Sequence, residues 1–143
     1  MSQNEQELAT AVTAQLVEAD QKLIDLLGFE IEAVTPGRAV CHMKVREDMV
    51  NSHRYCQGGL IFALADHAFA YACMSRNQAG VTLSAQIMYT QAAQLGDTLT
   101  ATAQVVTDGG RTATCDVEVT NQKDEIIARY QGVNYRVKTK VVG

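Results

Sequence analysis

Residues 57–75, QGGLIFALADHAFAYACMS, decide how the rest of the chain must be arranged. A glycine pair opens the stretch, and an Ala-rich run with Leu, Ile, Phe, Tyr and Met follows. At 3.6 residues per turn the apolar side chains fall on every face, so the expected helix is buried on all sides. It is too short, and too interrupted by Asp66-His67, to span a bilayer. Asp66 is the one carboxylate in this apolar rod. A buried carboxylate costs several kcal/mol or changes its protonation unless something compensates it, so its presence asks for a reason.

Upstream, residues from about Asn4 to Leu27 carry Leu8, Val12, Leu16, Leu23 and Leu26 at loosely helical intervals, and Gly28 suits a left-handed cap. This lead-in (residues 1–27) is expected to join the remainder in one domain of 143 residues. Phe29 to Val34 alternates as a strand, Pro36-Gly37 has type II turn chemistry, and Ala39 to Arg46 alternates again. Glu47 to Cys56 (EDMVNSHRYC) is a polar loop just ahead of the buried helix, a place where loops often carry chemistry.

Downstream, Asn77 to Gly80 reads as a turn. Val81–Tyr89, Asp97–Thr107, Thr112–Asn121 and Ile126 to about Val137 then read as strands. Asp108-Gly109-Gly110 is a strong hairpin signal and Lys123-Asp124 a weaker one. Hairpin-length connections predict an antiparallel meander. One all-apolar helix with one antiparallel sheet makes an α+β domain in which a curved sheet of five to six strands wraps the helix. Such a sheet leaves an edge bare, and Val81-Thr82-Leu83-Ser84-Ala85-Gln86-Ile87 is better suited to a subunit contact than to water, so a homodimer or higher symmetric assembly is expected.

The bulk composition excludes several classes. A net charge of −4 without a basic stripe argues against nucleic acid as the main ligand. The start, MSQNEQELAT, lacks signal-peptide chemistry and no segment suits a bilayer, so no membrane partner and a cytoplasmic location are expected. Cys41, Cys56, Cys73 and Cys115 are widely spaced and read as reduced packing residues. His53 and Cys56 lie three apart, but no second pair completes a metal site. No Walker loop, G-x-G-x-x-G or G-x-S-x-G motif is present.

What remains is a glycine pair and an acid. A helix N-terminus leaves backbone N–H groups unpaired with a partial positive charge, and Gly58 and Gly59 let a substrate oxygen approach them, as in an oxyanion hole. Asp66 lies about 12 Å further along by helical rise. That is too far for both to act on one centre, unless the acid serves a partner subunit's glycine pair. An acid opposite an oxyanion donor suits attack on an activated carbonyl, directly or through water, and a thioester fits without a metal or other cofactor. Blander readings stand beside this one. Asp66 can pair with an arginine, the glycines can simply make a tight turn, Asn51 can be a turn former and His67 a core residue. Arg111 can be a solvated turn residue.

Asn51, five residues, Gln57-Gly58-Gly59 and then Asp66 together resemble the N-x5-H-G-G-x6-D signature of hotdog-fold acyl-CoA thioesterases, closest to the phenylacetate-degradation (PaaI-type) branch. Similarity runs from about Gly28 to Arg136 and includes Phe69-Ala70-Tyr71-Ala72-Cys73 and residues 96–103, GDTLTATA. The resemblance implies a hotdog fold, a homodimer often paired again into a tetramer, and hydrolysis of aromatic (phenylacetyl-type) acyl-CoA, with CoA entering as part of the substrate. It implies that Asp66 is nucleophile or general base, that the Gly58 N–H polarises the carbonyl and that Asn51 supports the loop or carbonyl. Thr82 would hold water, and Arg111 would meet coenzyme A phosphates, with Gly59 beside the substrate. The family's histidine is Gln57 here, which can donate a hydrogen bond but cannot carry a proton. That departure motivates two alternatives, a non-catalytic acyl-CoA binding module and, more remotely, a hotdog dehydratase.

Overall fold

The computed structural model describes residues 2–143. Two helices come first, α1 (Gln3–Ala19) and α2 (Gln21–Leu27). The expected single lead-in helix is divided at Asp20, which ends one helix and begins the other. Ser2 and Glu5 make a reciprocal capping box at the start of α1, and Gly28 closes α2 with φ +70°.

Strands β1 (Glu30–Thr35) and β2 (Arg38–Lys44) form a hairpin around Pro36-Gly37, where Gly37 has φ +78°. The central helix α3 (Gly58–Met74) follows the polar loop. Then come β3 (Gly80–Tyr89), β4 (Thr98–Asp108), β5 (Thr112–Thr120) and β6 (Ile126–Arg136). All pair antiparallel in one six-stranded sheet, in the order β1-β2-β4-β5-β6-β3. This is the helix-and-wrapping-sheet arrangement that the resemblance implies.

The expected meander holds for β4, β5 and β6 but not for β3, which lies beside β6 at the sheet's far edge. The reason is in the connection 90–97. It leaves β3 alongside Ile127, passes the start of α3 where Cys56 N donates to Ala93 O at 2.8 Å, and ends where Val45 N donates to Asp97 O at 2.8 Å. That path places β4 next to β2, so the link is a crossover rather than a hairpin.

The core lies between sheet and helix. Ile61, Leu64, Ala65, Ala68, Phe69, Tyr71, Ala72 and Cys73 of α3 are buried. Phe69 lies so close to β6 that a Cβ on Gly132 would sit 2.6 Å from its ring. All four cysteines are buried free thiols. Burial of α3 is incomplete on one stripe, however: Phe62, Ala63, Asp66 and Ala70 are half-buried.

The two sheet edges differ. At β1 the side chain of Gln6 reaches from α1 to the carbonyl of Val34 at 3.1 Å. Among the described residues no strand lies outside β3, and Val81, Leu83, Met88 and Tyr89 are exposed. The register of β3 on β6 is broken between Thr82 and Ser84, leaving Leu83 as a bulge.

Candidate active site

The loop before α3 is held by its own backbone. Asn51 Oδ1 accepts hydrogen bonds from His53 N at 2.9 Å and Tyr55 N at 3.3 Å, while Arg54 takes φ +65° to close the turn. Bridges join Val50 to Cys56 and Tyr55 to Gln94, and Gln57 N donates to Met49 O at 2.8 Å. Asn51 therefore braces the loop that delivers Gln57 to the helix start. The Gln57 side chain is exposed and makes no capping bond.

Leu60 N and Ile61 N are the first amides to bond back, both to Gln57 O. The N–H groups of Gly58 and Gly59 precede them in the first turn, where helices leave donors free. Tyr89 of β3 donates its hydroxyl to Gly58 O at 2.7 Å, and a Cβ on Gly58 would meet that ring at 3.0 Å. Gly59 has no atom within 4 Å of such a Cβ. A groove of about 400 Å³ runs past Gly58, Ile61, Cys56, Tyr55 and Tyr89. Burial pushes the Cys56 thiol up to about 11, so it stays protonated near neutrality and is no thiolate nucleophile.

Asp66 lies two turns along α3. Its Oδ1 accepts a hydrogen bond from the Tyr130 hydroxyl at 2.7 Å, and none of the ion pairs among the described residues involves it. Tyr130 belongs to β6, is 2% exposed and has its ring 5.2 Å from Phe62 and 5.5 Å from Phe69. Burial, reinforced by the bond to Asp66, raises the Tyr130 hydroxyl far above its ordinary range, so it remains a donor.

His67 is buried on another side of α3, with its ring 4.7 Å from Phe29 and 4.4 Å from Tyr71. Its Nε2 has no partner among the described residues, and burial lowers its pKa below 6.5 against the weaker pull of Asp20 and Asp66. It is a core residue, as one sequence reading had it. Tyr71 in turn donates to Asp20 at 3.0 Å, tying α3 to the junction of the first two helices.

The structure thus brings Asn51, Gln57, Gly58 and Gly59 together at one end of α3, and sets Asp66 apart with Tyr130. Thr82 is exposed near the start of β3, opposite Asn134 of β6. Arg111 is exposed on the β4–β5 turn, in a groove of about 960 Å³ that also contains Arg76, Arg136, Lys138 and Lys140. Arg136 is held there by both carboxylate oxygens of Asp108, with Nη2 to Oδ2 at 3.0 Å. Sequence reasoning missed Tyr130 and Tyr89. A tyrosine in a strand signals packing or edge exposure, and nothing local reveals what its hydroxyl touches.

A family model described as the thioesterase superfamily matches residues 53–128. The chain belongs to this superfamily. It is 41% identical over 117 residues to acyl-coenzyme A thioesterase PaaI of Escherichia coli, covering 82% of this chain and 84% of that one. The structure of the E. coli PaaI protein from the phenylacetic acid degradation operon matches with a TM-score of 0.92 at 37% identity, over 94% of this chain and 97% of that chain. A hypothetical thioesterase protein from Streptococcus pneumoniae, solved with coenzyme A, matches with a TM-score of 0.75 at 30% identity, over 78% of this chain and 90% of that chain. The hotdog fold and the kinship with PaaI stand on these matches, and so does the assignment as a thioester hydrolase. Among the described residues, no helix of this thioesterase is long and apolar enough to cross a membrane.

Proposed function

We propose that this chain hydrolyses acyl-CoA thioesters, with phenylacetyl-type aromatic acyl groups preferred, in sites shared between two protomers. The observation that carries the reading is Asp66: an acid with no ion-pair partner among the described residues, on the half-open stripe of an otherwise buried helix. Its own glycine pair is about 12 Å away along the axis. Pairing two chains at the bare β3 edge supplies a second glycine pair to face it.

The thioester carbonyl oxygen accepts from the Gly58 N–H, with Gly59 leaving room for the acyl carbon. The Asp66 carboxylate takes a proton from water, and the resulting hydroxide adds to the carbonyl carbon. Collapse of the tetrahedral intermediate breaks the C–S bond, and the departing thiolate takes the proton back from Asp66. Alternatively Asp66 attacks directly, and water then cleaves the mixed anhydride. Gln57 and Asn51 hold the loop and the carbonyl. Thr82 holds the attacking water, a role supported by an S. pneumoniae relative whose solved mutants replace an aspartate and a threonine at the same interval as Asp66 and Thr82. Arg111, in its basic groove, takes the coenzyme A phosphates. The aromatic preference rests on the operon of the E. coli relative and on the half-buried Phe62 beside Tyr130.

Free-thiol release from a panel of acyl-CoAs tests the reading. Asp66→Asn is expected to lose about three orders of magnitude in kcat, or roughly 4 kcal/mol of transition-state stabilisation. Equal rates for the two proteins would remove Asp66 from the mechanism. Gln57 in place of the family's histidine favours one second reading, a binding module without turnover. Tight acyl-CoA binding with no hydrolysis, unchanged in Gln57→His, would establish it.

A further inference from the structure

The hydroxyl of Tyr130 has no packing purpose. Its ring fills the space between Phe62 and Phe69, and a phenylalanine would fill it equally. A hydroxyl carried into an apolar core is costly unless it finds a partner. Here the partner is one oxygen of Asp66, the acid proposed as catalytic.

We propose that Tyr130 is a positioning residue for hydrolysis: its phenol holds Asp66 Oδ1 and leaves Oδ2 as the single oxygen that meets water or the thioester. The inference rests on the role of Asp66 given above. Three observations support it. The bond is short, at 2.7 Å. The donor is anchored in β6, paired with Val117 of β5 and Ile87 of β3, so it moves with the sheet and not with the helix. And Oδ2 has no hydrogen-bond partner among the described residues, although Oδ1 does.

One consequence follows for the reaction. Fixing one oxygen removes rotation of the carboxylate, so the reacting oxygen is already placed when substrate arrives. The phenol itself exchanges no proton with substrate and does not touch the reacting carbon.

Tyr130→Phe keeps the ring and removes only the donor. Steady-state kinetics on the best acyl-CoA are expected to show kcat reduced about 10- to 100-fold with KM little changed. Thermal melting should stay cooperative. Unchanged kcat would overturn the inference. So would a raised KM at constant kcat, because that is what a residue merely lining the acyl pocket gives. Asp66→Asn, assayed alongside, separates the two levels. If it retains full turnover, the catalytic reading of Asp66 itself is lost. If it is inactive while Tyr130→Phe matches wild type, only the positioning role fails.

Discussion

At Gly132 a single hydrogen is all that the Phe69 ring leaves room for, since a Cβ there would lie 2.6 Å from Cε1. Gly132→Ala must displace Phe69 or bend β6. The expected cost is about 1–3 kcal/mol, read as a lower urea midpoint at unchanged slope. His67 makes a second residue-scale prediction. Its imidazole sits among Phe29 and Tyr71, and burial holds its pKa below the ordinary 6.5. The unfolded chain therefore takes up a proton at higher pH than the folded one. Stability from this group is complete above about pH 6.5 and declines as the pH falls below it. Urea midpoints should drop on acidification through that window, and His67→Leu should lose this part of the drop. At this scale the sequence was half legible. The glycine pair and the acid stood out because each violates its surroundings. Tyr130 and Gly132 did not, because a tyrosine and a glycine in a strand betray nothing about a partner many residues away.

Strand β3 carries the prediction at the scale of elements. Leu83 and Met88 are 63% and 61% exposed in the isolated chain, so charging them leaves its own core untouched. The double variant Leu83→Lys, Met88→Lys should fold with an ordinary melt yet sediment as a monomer, with turnover lost in step with the assembly. A dimer of full activity would show that β3 is not the contact. Most elements were readable from alternation, apolar density and turn residues, because those signals are local: the hairpin at Asp108-Gly109-Gly110 forms as read, with Gly110 at φ +87°. The position of β3 in the sheet was not readable. Strand order is fixed by which distant edges meet, and the crossover 90–97 contains no turn signal that says where it leads. The break at Asp20 was also hidden, since the apolar period continues through it, and the tie from Tyr71 is long-range.

For the whole molecule, a site shared across two chains makes a prediction that a self-contained site does not. Asp66→Asn and a bulky replacement of the glycine, Gly58→Val, should each be inactive alone. Mixed and re-associated, they form heterodimers in which one site has both defects and the other has none. Thiol release should then return toward about half the wild-type rate per heterodimer, in keeping with the isologous geometry of a twofold pair. A mixture as inactive as its parts would place the acid and the amides in one chain. The sequence itself suggests a second copy, because about 12 Å of helix separates the two groups, and it points to Val81–Ile87 as the contact; what the structure adds is that this stretch forms the sheet's edge.

The unequal edges of the sheet have one more consequence. A sheet with two open margins can recruit copy after copy, which is how fibrils grow. Here the first helix lies beside β1 and its Gln6 side chain takes the carbonyl of Val34, so that margin is partly covered within each chain. In the proposed dimer, two copies joined through the other margin end in helices on both flanks, so strand addition stops at two. Trimming residues 2–19 is then expected to turn a finite ribbon into one that keeps adding strands.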